Sequence, residues 1–558
     1  MYLITVIPTK RKIPDGELFY ISSDQLTVGT IIDVPIKKIF EKALIIEQKN
    51  VIEAKSYIKS LPWKLVKIDS TQNKIIFKKE IIETINDFSS YAMVDKDKIV
   101  RSCFKEIKLN KNKTNNNSKK LIITNNTKDI GNFDQSSNVA NYASFLSFFK
   151  EDSNINEILI DNPEKLSFYS INYLGFDATV FIVLLAKKLK IKILFNSQNT
   201  RLRYSEWKIK NKNQKQINTK NNLRIISRTN EKNEEKAYPI NKDIFNVILK
   251  ATTKNEKIII ISPTKNFSPK TICGDCGQTH NCPNCNNPLK LVTNNRNYAK
   301  KYGISGNYIF VCNICQNAYN SIAKCVNCDS WNLTPLGYGI DRIYENLINN
   351  INKESTIPTK LKNKIYNFSE RVLQKELKKW NEQGGIIIGT LNLINEINDC
   401  DICIVPSLGA LLYSENFESI EQARDILEYA KHCNHGMIVS VMQDEEKQFL
   451  EINKNTWQEQ ELKDRKDLHY PPYARYVIFT LDPYASKAEK IQKEIIKILE
   501  NTQTILGIEI KKNNLGQIKI HTSFPTNNWS INNDDYTLPK KIANNLLPFL
   551  KYLKVEVY

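Results

Sequence analysis

Glycine is scarce in this chain, and none of its 17 glycines is followed by lysine. A phosphate-cradling GxxxxGK[ST] loop needs that dipeptide, because the lysine reaches the phosphates and the next hydroxyl holds magnesium. The loop is therefore absent. Histidine is scarcer still, with five in 558 residues, which leaves few general acid–base options. There is no HExxH and no Ser-His-Asp arrangement. The longest apolar run, about Ala178 to Ala186, falls far short of the roughly 20 residues that span a bilayer. Charges at Lys10, Arg11 and Lys12, with no apolar segment after them, do not fit a secretory signal. These absences predict a cytoplasmic protein with no membrane partner.

What the chain has in excess is positive charge. Lys and Arg number 80 against 60 Asp and Glu, and the pI is about 9.2. Such a surplus favours a polyanionic partner, since cations near phosphates release condensed counterions. A chain rich in Lys and Asn on solvated faces would show the same surplus without any such partner.

The hydrophobic pattern divides the chain. Residues 1–105 alternate short apolar runs with turn residues and predict a β-rich domain, followed by a helix at "KEIIETINDFSSYAM". Residues 106–140 are mostly Lys and Asn and read as a basic linker. Residues 141–245 predict strand–helix–strand, with "NEILID" and "IKILF" as buried strands flanking "DATVFIVLLAKKLK". Residues 246–472 predict a second α/β lobe with a cysteine-rich insertion at 270–336, and 473–558 a separate α+β domain.

Eight of the twelve cysteines form four CxxC pairs: Cys273/Cys276, Cys282/Cys285, Cys312/Cys315 and Cys325/Cys328. A CxxC turn aims two thiolates at one ion, and two turns complete a tetrahedron, so eight ligands make two closed zinc sites. Adjacent pairs could share an ion, or the pairs could nest. A reducing compartment disfavours disulfides. His280 reads as a turn residue, and Cys400 and Cys403 read as core.

The block "FSPKTICGDCGQTHNCPNCNNPLKL", followed by "FVCNICQNAYNSIAKCVNCDSWNLTPLGYGIDRIYENL", resembles the zinc-binding insertion of the PriA family (primosomal protein N′), the replication-restart helicases. The resemblance implies nested pairing. Cys273, Cys276, Cys325 and Cys328 would bind one zinc, and Cys282, Cys285, Cys312 and Cys315 the other. "GGIIIGT", "SLGALLYSENFESIEQARDIL" and "LKDRKDLHYPPYARYV", with Arg465, Pro471 and Pro472, are similar to later segments of the family. The start of the chain, through "GTIIDVPI", resembles its domain for the 3′ end of DNA.

The departures bear on mechanism. Where the family has a DEEH box, "EILIDNPEKLSFYS" leaves only Asp161 and Glu164. Where its last motif carries arginines that reach the γ-phosphate, "EYAKHCNHG" has His432 and His435, and an imidazole is no guanidinium fork. "LFY" keeps Tyr20 of the family's nucleotide-cupping triplet but puts Phe19 at the place of the acid. Phe19 and Tyr20 are candidate base contacts and Lys37 and Lys38 candidate phosphate contacts. Each would equally serve as a core or surface residue of a strand.

The expectation is a multidomain α/β protein. It has a β-rich N-terminal DNA-binding domain, degenerate RecA-like helicase lobes with an inserted two-zinc region, and a small α+β C-terminal domain. The resemblance implies a replication-restart factor that binds forked, branched or single-stranded DNA and helps assemble the primosome, with other primosome proteins and the replicative helicase as partners. Its cofactors would be two zinc ions. ATP is not expected as a ligand, and no catalytic or nucleotide-binding residue is assigned. The alternatives are a divergent ATP-dependent 3′–5′ helicase and a zinc-dependent protein scaffold.

Overall fold

A computed structural model describes the chain except residues 14–15, 38, 62–63, 69–74, 105–118, 125–137, 142–143, 162–175, 197–201, 203–222, 233–237, 265–266, 284–287, 295–299, 301, 313–316, 355–363, 369–373, 398, 415–416, 482–487, 502–507, 513–517, 526–544, 547–548, 550–552 and 558. It is a mixed α/β protein of two compact units. One comprises Met1–Lys210, Lys463–Lys511 and Ile518–Tyr558, the other Asn211–Leu462 and Lys512–Gln517.

The first unit opens with strands β1 (Tyr2–Pro8), β2 (Leu18–Ser22), β3 (Thr30–Ile36), β4 (Ile39–Asn50), β5 (Val66–Ile68) and β6 (Ile75–Ile76). They form one sheet in the order β5-β2-β1-β4-β3-β6. Its antiparallel pairs explain the alternating pattern read from the sequence. Helix α1 (Lys79–Ala92) follows and stops at Met93, which takes a left-handed conformation. Helix α2 (Lys96–Phe104) comes next.

Strands β7 (Lys120–Ile123), β8 (Asn138–Ala140), β9 (Glu157–Asp161) and β10 (Lys192–Asn196) make a parallel sheet in the order β10-β9-β7-β8. Helix α3 (Ala178–Lys188) connects β9 to β10. Most of the expected linker at 106–140 lies outside the described residues, and its described parts hold β7 and β8, with β7 interior to the sheet. Leu121, Ile122 and Ile123 are almost fully buried, the mark of a strand covered on both faces. Three apolar residues among Lys and Asn were too short a signal against their flanks. One core joins α1, α2 and α3 to both sheets.

The second unit is built on an all-parallel sheet. Its strands are β11 (Leu223–Ser227), β12 (Lys257–Ile261), β18 (Ile365–Phe368), β19 (Gly385–Gly389), β20 (Ile402–Val405) and β21 (Met437–Val441), ordered β11-β21-β20-β12-β19-β18. β11 pairs along its length with β21, so residues from Asn211 belong to this unit. β11 lies before the expected boundary at 245/246, and a Lys/Asn-rich stretch of sequence runs straight into it.

Between β12 and helix Ile340–Lys353 lie β13 (Lys270–Cys273), β14 (Leu289–Thr293), β15 (Tyr308–Cys312), β16 (Ala318–Asn320) and β17 (Leu333–Leu336). β13 pairs with β17, and β14, β15 and β16 form a separate antiparallel sheet.

The chain ends with β22 (Ala474–Leu481), β23 (Ile508–Lys512), β24 (Ile518–Pro525) and β25 (Leu553–Val557), ordered β23-β24-β22-β25. This segment shares the first unit with the N-terminal residues. Met93 enters its core, and the Arg475 guanidinium lies 4.0 Å from the Tyr91 ring centroid. Among the described residues no helix is long and apolar enough to cross a membrane.

Candidate metal centre

β13 runs into the first knuckle at Cys273, and the loop before β17 carries the last. The two turns are built alike. The Cys273 N–H donates to Gln278 O and the Cys325 N–H to Ser330 O, both at 2.8 Å. Gly277 N–H returns to Cys273 O, and Asp329 N–H to Cys325 O, both at 2.9 Å. The residues closing these turns, Gly277 and Asp329, have positive φ, a conformation that Gly adopts freely and Asp tolerates.

Pairing of β13 with β17 brings the knuckles face to face. Gly274 N–H donates to Asn332 O at 2.7 Å. The Asp275 carboxylate accepts from Ser330 Oγ and Asn332 Nδ2, and those bonds hold its pKa below the usual range. A Cβ on Gly274 would stand 2.5 Å from the Asn332 side chain, so any larger residue there would displace the amide that binds Asp275.

The outcome is a cluster of Cys273, Cys276, Cys325 and Cys328 whose sulfurs all lie within 4.8 Å of one another. Cys273 and Cys328 are 3.5 Å apart at Sγ, and Cys276 and Cys325 are 3.6 Å apart. A tetrahedron of sulfurs about 2.3 Å from a zinc ion has edges of roughly 3.8 Å. The donor set and its spacing therefore fit a tetrahedral, thiophilic ion. Backbone donors also favour thiolates, which are the ligating form. The N–H of Gln278, helped by Asn327, pushes Cys276 down to about 6, and the N–H of Cys276 lowers Cys273. At Cys328 the Ser330 N–H favours the thiolate too, but hydrogen bonds with Cys276 and Cys273 outweigh it and push the thiol up to about 12.

Of the other four pair members, Cys282 and Cys312 are buried in one apolar cluster with Leu289, Leu291 and Phe310. The Cys312 N–H donates to Asn317 O at 2.9 Å, the same five-residue closure seen at Cys273 and Cys325. Cys285 and Cys315 lie outside the described residues. His280 is buried against Phe310, with ring centroids 4.7 Å apart, and burial lowers its pKa. Cys400, Cys403 and Cys433 are buried together, with Cys400 and Cys433 sulfurs 3.5 Å apart.

The candidate DNA contacts fall in different settings. Tyr20 is buried and its hydroxyl donates to Pro35 O at 2.8 Å, so its ring is core. Phe19 is half-buried, edge-on to Tyr57 with centroids 5.5 Å apart. Lys37 is exposed in the β3–β4 turn at φ 59°, while Lys38 lies outside the described residues.

Asp161 ends β9 and is buried. It accepts from Asn196 Nδ2 at 2.9 Å and from Thr124 Oγ1 at 3.3 Å, joining the C-terminal ends of β10 and β7. Glu164 lies outside the described residues. Thr124 and Asn196 escaped the sequence reading, although a polar residue directly after an apolar strand was the available signal. His432 stacks near Tyr429, and His435 Nδ1 sits 3.4 Å from Glu256. Arg465 is buried and donates to Pro471 O, a bond that shapes the turn into β22.

No protein-family model matches the chain.

Proposed function

We propose that this chain is a PriA-like replication-restart factor without a motor, which binds forked, branched or single-stranded DNA and helps assemble the primosome. The observation that carries the reading is the convergence of the first and last CxxC pairs, the nested arrangement that the family resemblance implies. Cys273, Cys276, Cys325 and Cys328 would hold one zinc; Cys282, Cys285, Cys312 and Cys315 a second. Bound zinc would serve structure and not chemistry, since an all-cysteine site leaves no open position. The charge of +20 supports a polyanionic partner. The lack of any Gly-Lys dipeptide argues against ATP turnover.

The test pairs fork-DNA binding with ATP hydrolysis on the purified, zinc-loaded chain. Salt-sensitive binding without hydrolysis is the expected result. One observation favours the alternative of a divergent ATP-dependent helicase. Asp161, Thr124 and Asn196 meet where parallel α/β sheets bind ligands, outside the carboxyl ends of the strands. Fork-stimulated turnover abolished by Asp161→Ala would establish that alternative.

A further inference from the structure

The cysteine module carries an open groove of about 320 Å³ between its two small sheets. Leu291, Tyr308, Phe310, Ile322, Trp331 and Leu333 line it. That size lies within the ~300–1,000 Å³ of small-ligand pockets. Trp331 and Ile322 are 63% and 75% exposed, a large apolar surface to leave in water. Lys324 Nζ sits 5.0 Å from the Trp331 ring centroid, so a cation already stands over the indole face.

We propose that this groove binds an unstacked base of a single-stranded nucleic acid, with Trp331 as its stacking face and Lys324 on the adjacent phosphate. The proposal rests on reading the chain as a nucleic-acid-binding protein. The exposed Trp331 indole gives a base a flat π-surface, and stacking of this kind tolerates any sequence. Charge selects the partner. Residues 263–336 hold seven Lys or Arg and only two acidic residues. One of the two, Asp275, is already engaged by Ser330 and Asn332. Two zinc–tetrathiolate clusters, at two negative charges each, would still leave the module weakly cationic, with Lys324 beside the Trp331 ring. Among the described residues no acidic side chain lines the groove to repel a phosphate. Lys324 and Trp331 flank Cys325 and Cys328, so the same knuckle that would hold metal also positions the stacking pair.

The experiment measures binding of a fluorescein-labelled oligothymidylate and of a forked duplex to the zinc-loaded full chain by anisotropy at low salt. Trp331→Ala weakens oligothymidylate binding about 5- to 150-fold while metal content is unchanged. Trp331→Phe recovers most of the loss, because a phenyl ring still stacks. Lys324→Ala lowers the slope of log affinity against log salt by about 0.7. Should Trp331→Ala lose its metal, Lys324→Ala carries the test, since its side chain lies on the surface. If the wild-type chain binds the oligonucleotide and neither variant differs from it, the groove is not a base site, and a protein segment becomes its better occupant. If the wild-type chain binds neither DNA, the proposed function falls together with the inference.

Discussion

At the residue scale the four-cysteine cluster depends on a few positions that no inventory of its sulfurs would name. Gly274 leaves room for the Asn332 amide to bind Asp275 across the two knuckles, because a Cβ there would displace it. Gly274→Ala is expected to weaken zinc affinity about 10- to 100-fold, the usual effect of disturbing the supports around a metal site. Competition with a chromophoric chelator would measure it, and unchanged affinity would mean the knuckles adjust freely. The four cysteines that the structure brings together were legible in the sequence, since CxxC spacing is an explicit pattern. Asp275, Ser330 and Asn332 were not, because their role arises only when two distant loops face each other. Tyr20 shows the reverse. A strand position allowed both a base contact and a core role, and burial with a bond to Pro35 puts the ring in the core.

At the element scale, strands with strong apolar runs were legible and short ones were not. β9, β12 and helix α3 stand out as continuous apolar segments. β7 and β11 are hidden because Lys and Asn dominate their surroundings, and only long-range pairing reveals them. The core beneath α1 and α3 supplies a stability prediction. Phe88 is buried and meets Phe176 and Phe181 edge-on, each with centroids 5.3 Å away. Phe88→Ala should cost about 3–5 kcal/mol by urea unfolding. A loss under 1 kcal/mol would require the cluster to collapse around the gap.

The start of β12 gives a pH prediction. Burial alone would raise the Asp401 pKa, but the Lys257 N–H and Asn434 Nδ2 bind its carboxylate and hold it below the usual value. A depressed folded pKa stabilises above the unfolded value of about 3.9, and that contribution disappears as pH falls through the folded value. Asp401→Asn should therefore lower the urea midpoint at neutral pH and narrow its difference from the midpoint near pH 3. An equal shift at both pH values would show that the carboxylate charge plays no part.

At the scale of the whole molecule, the two units were only half visible from sequence. The C-terminal strands read as a domain of their own, yet they share a compact unit with the N-terminal residues through Met93, Tyr91 and Arg475. Nothing in local periodicity announces a contact between residues nearly four hundred positions apart. The charge surplus, in contrast, is legible without any structure, and it sets the most direct test. Affinity of the zinc-loaded chain for a forked DNA should be measured across a salt series. The account predicts binding at low salt that weakens linearly in log affinity against log salt, as counterion release requires. Absence of fork binding at low salt would contradict it.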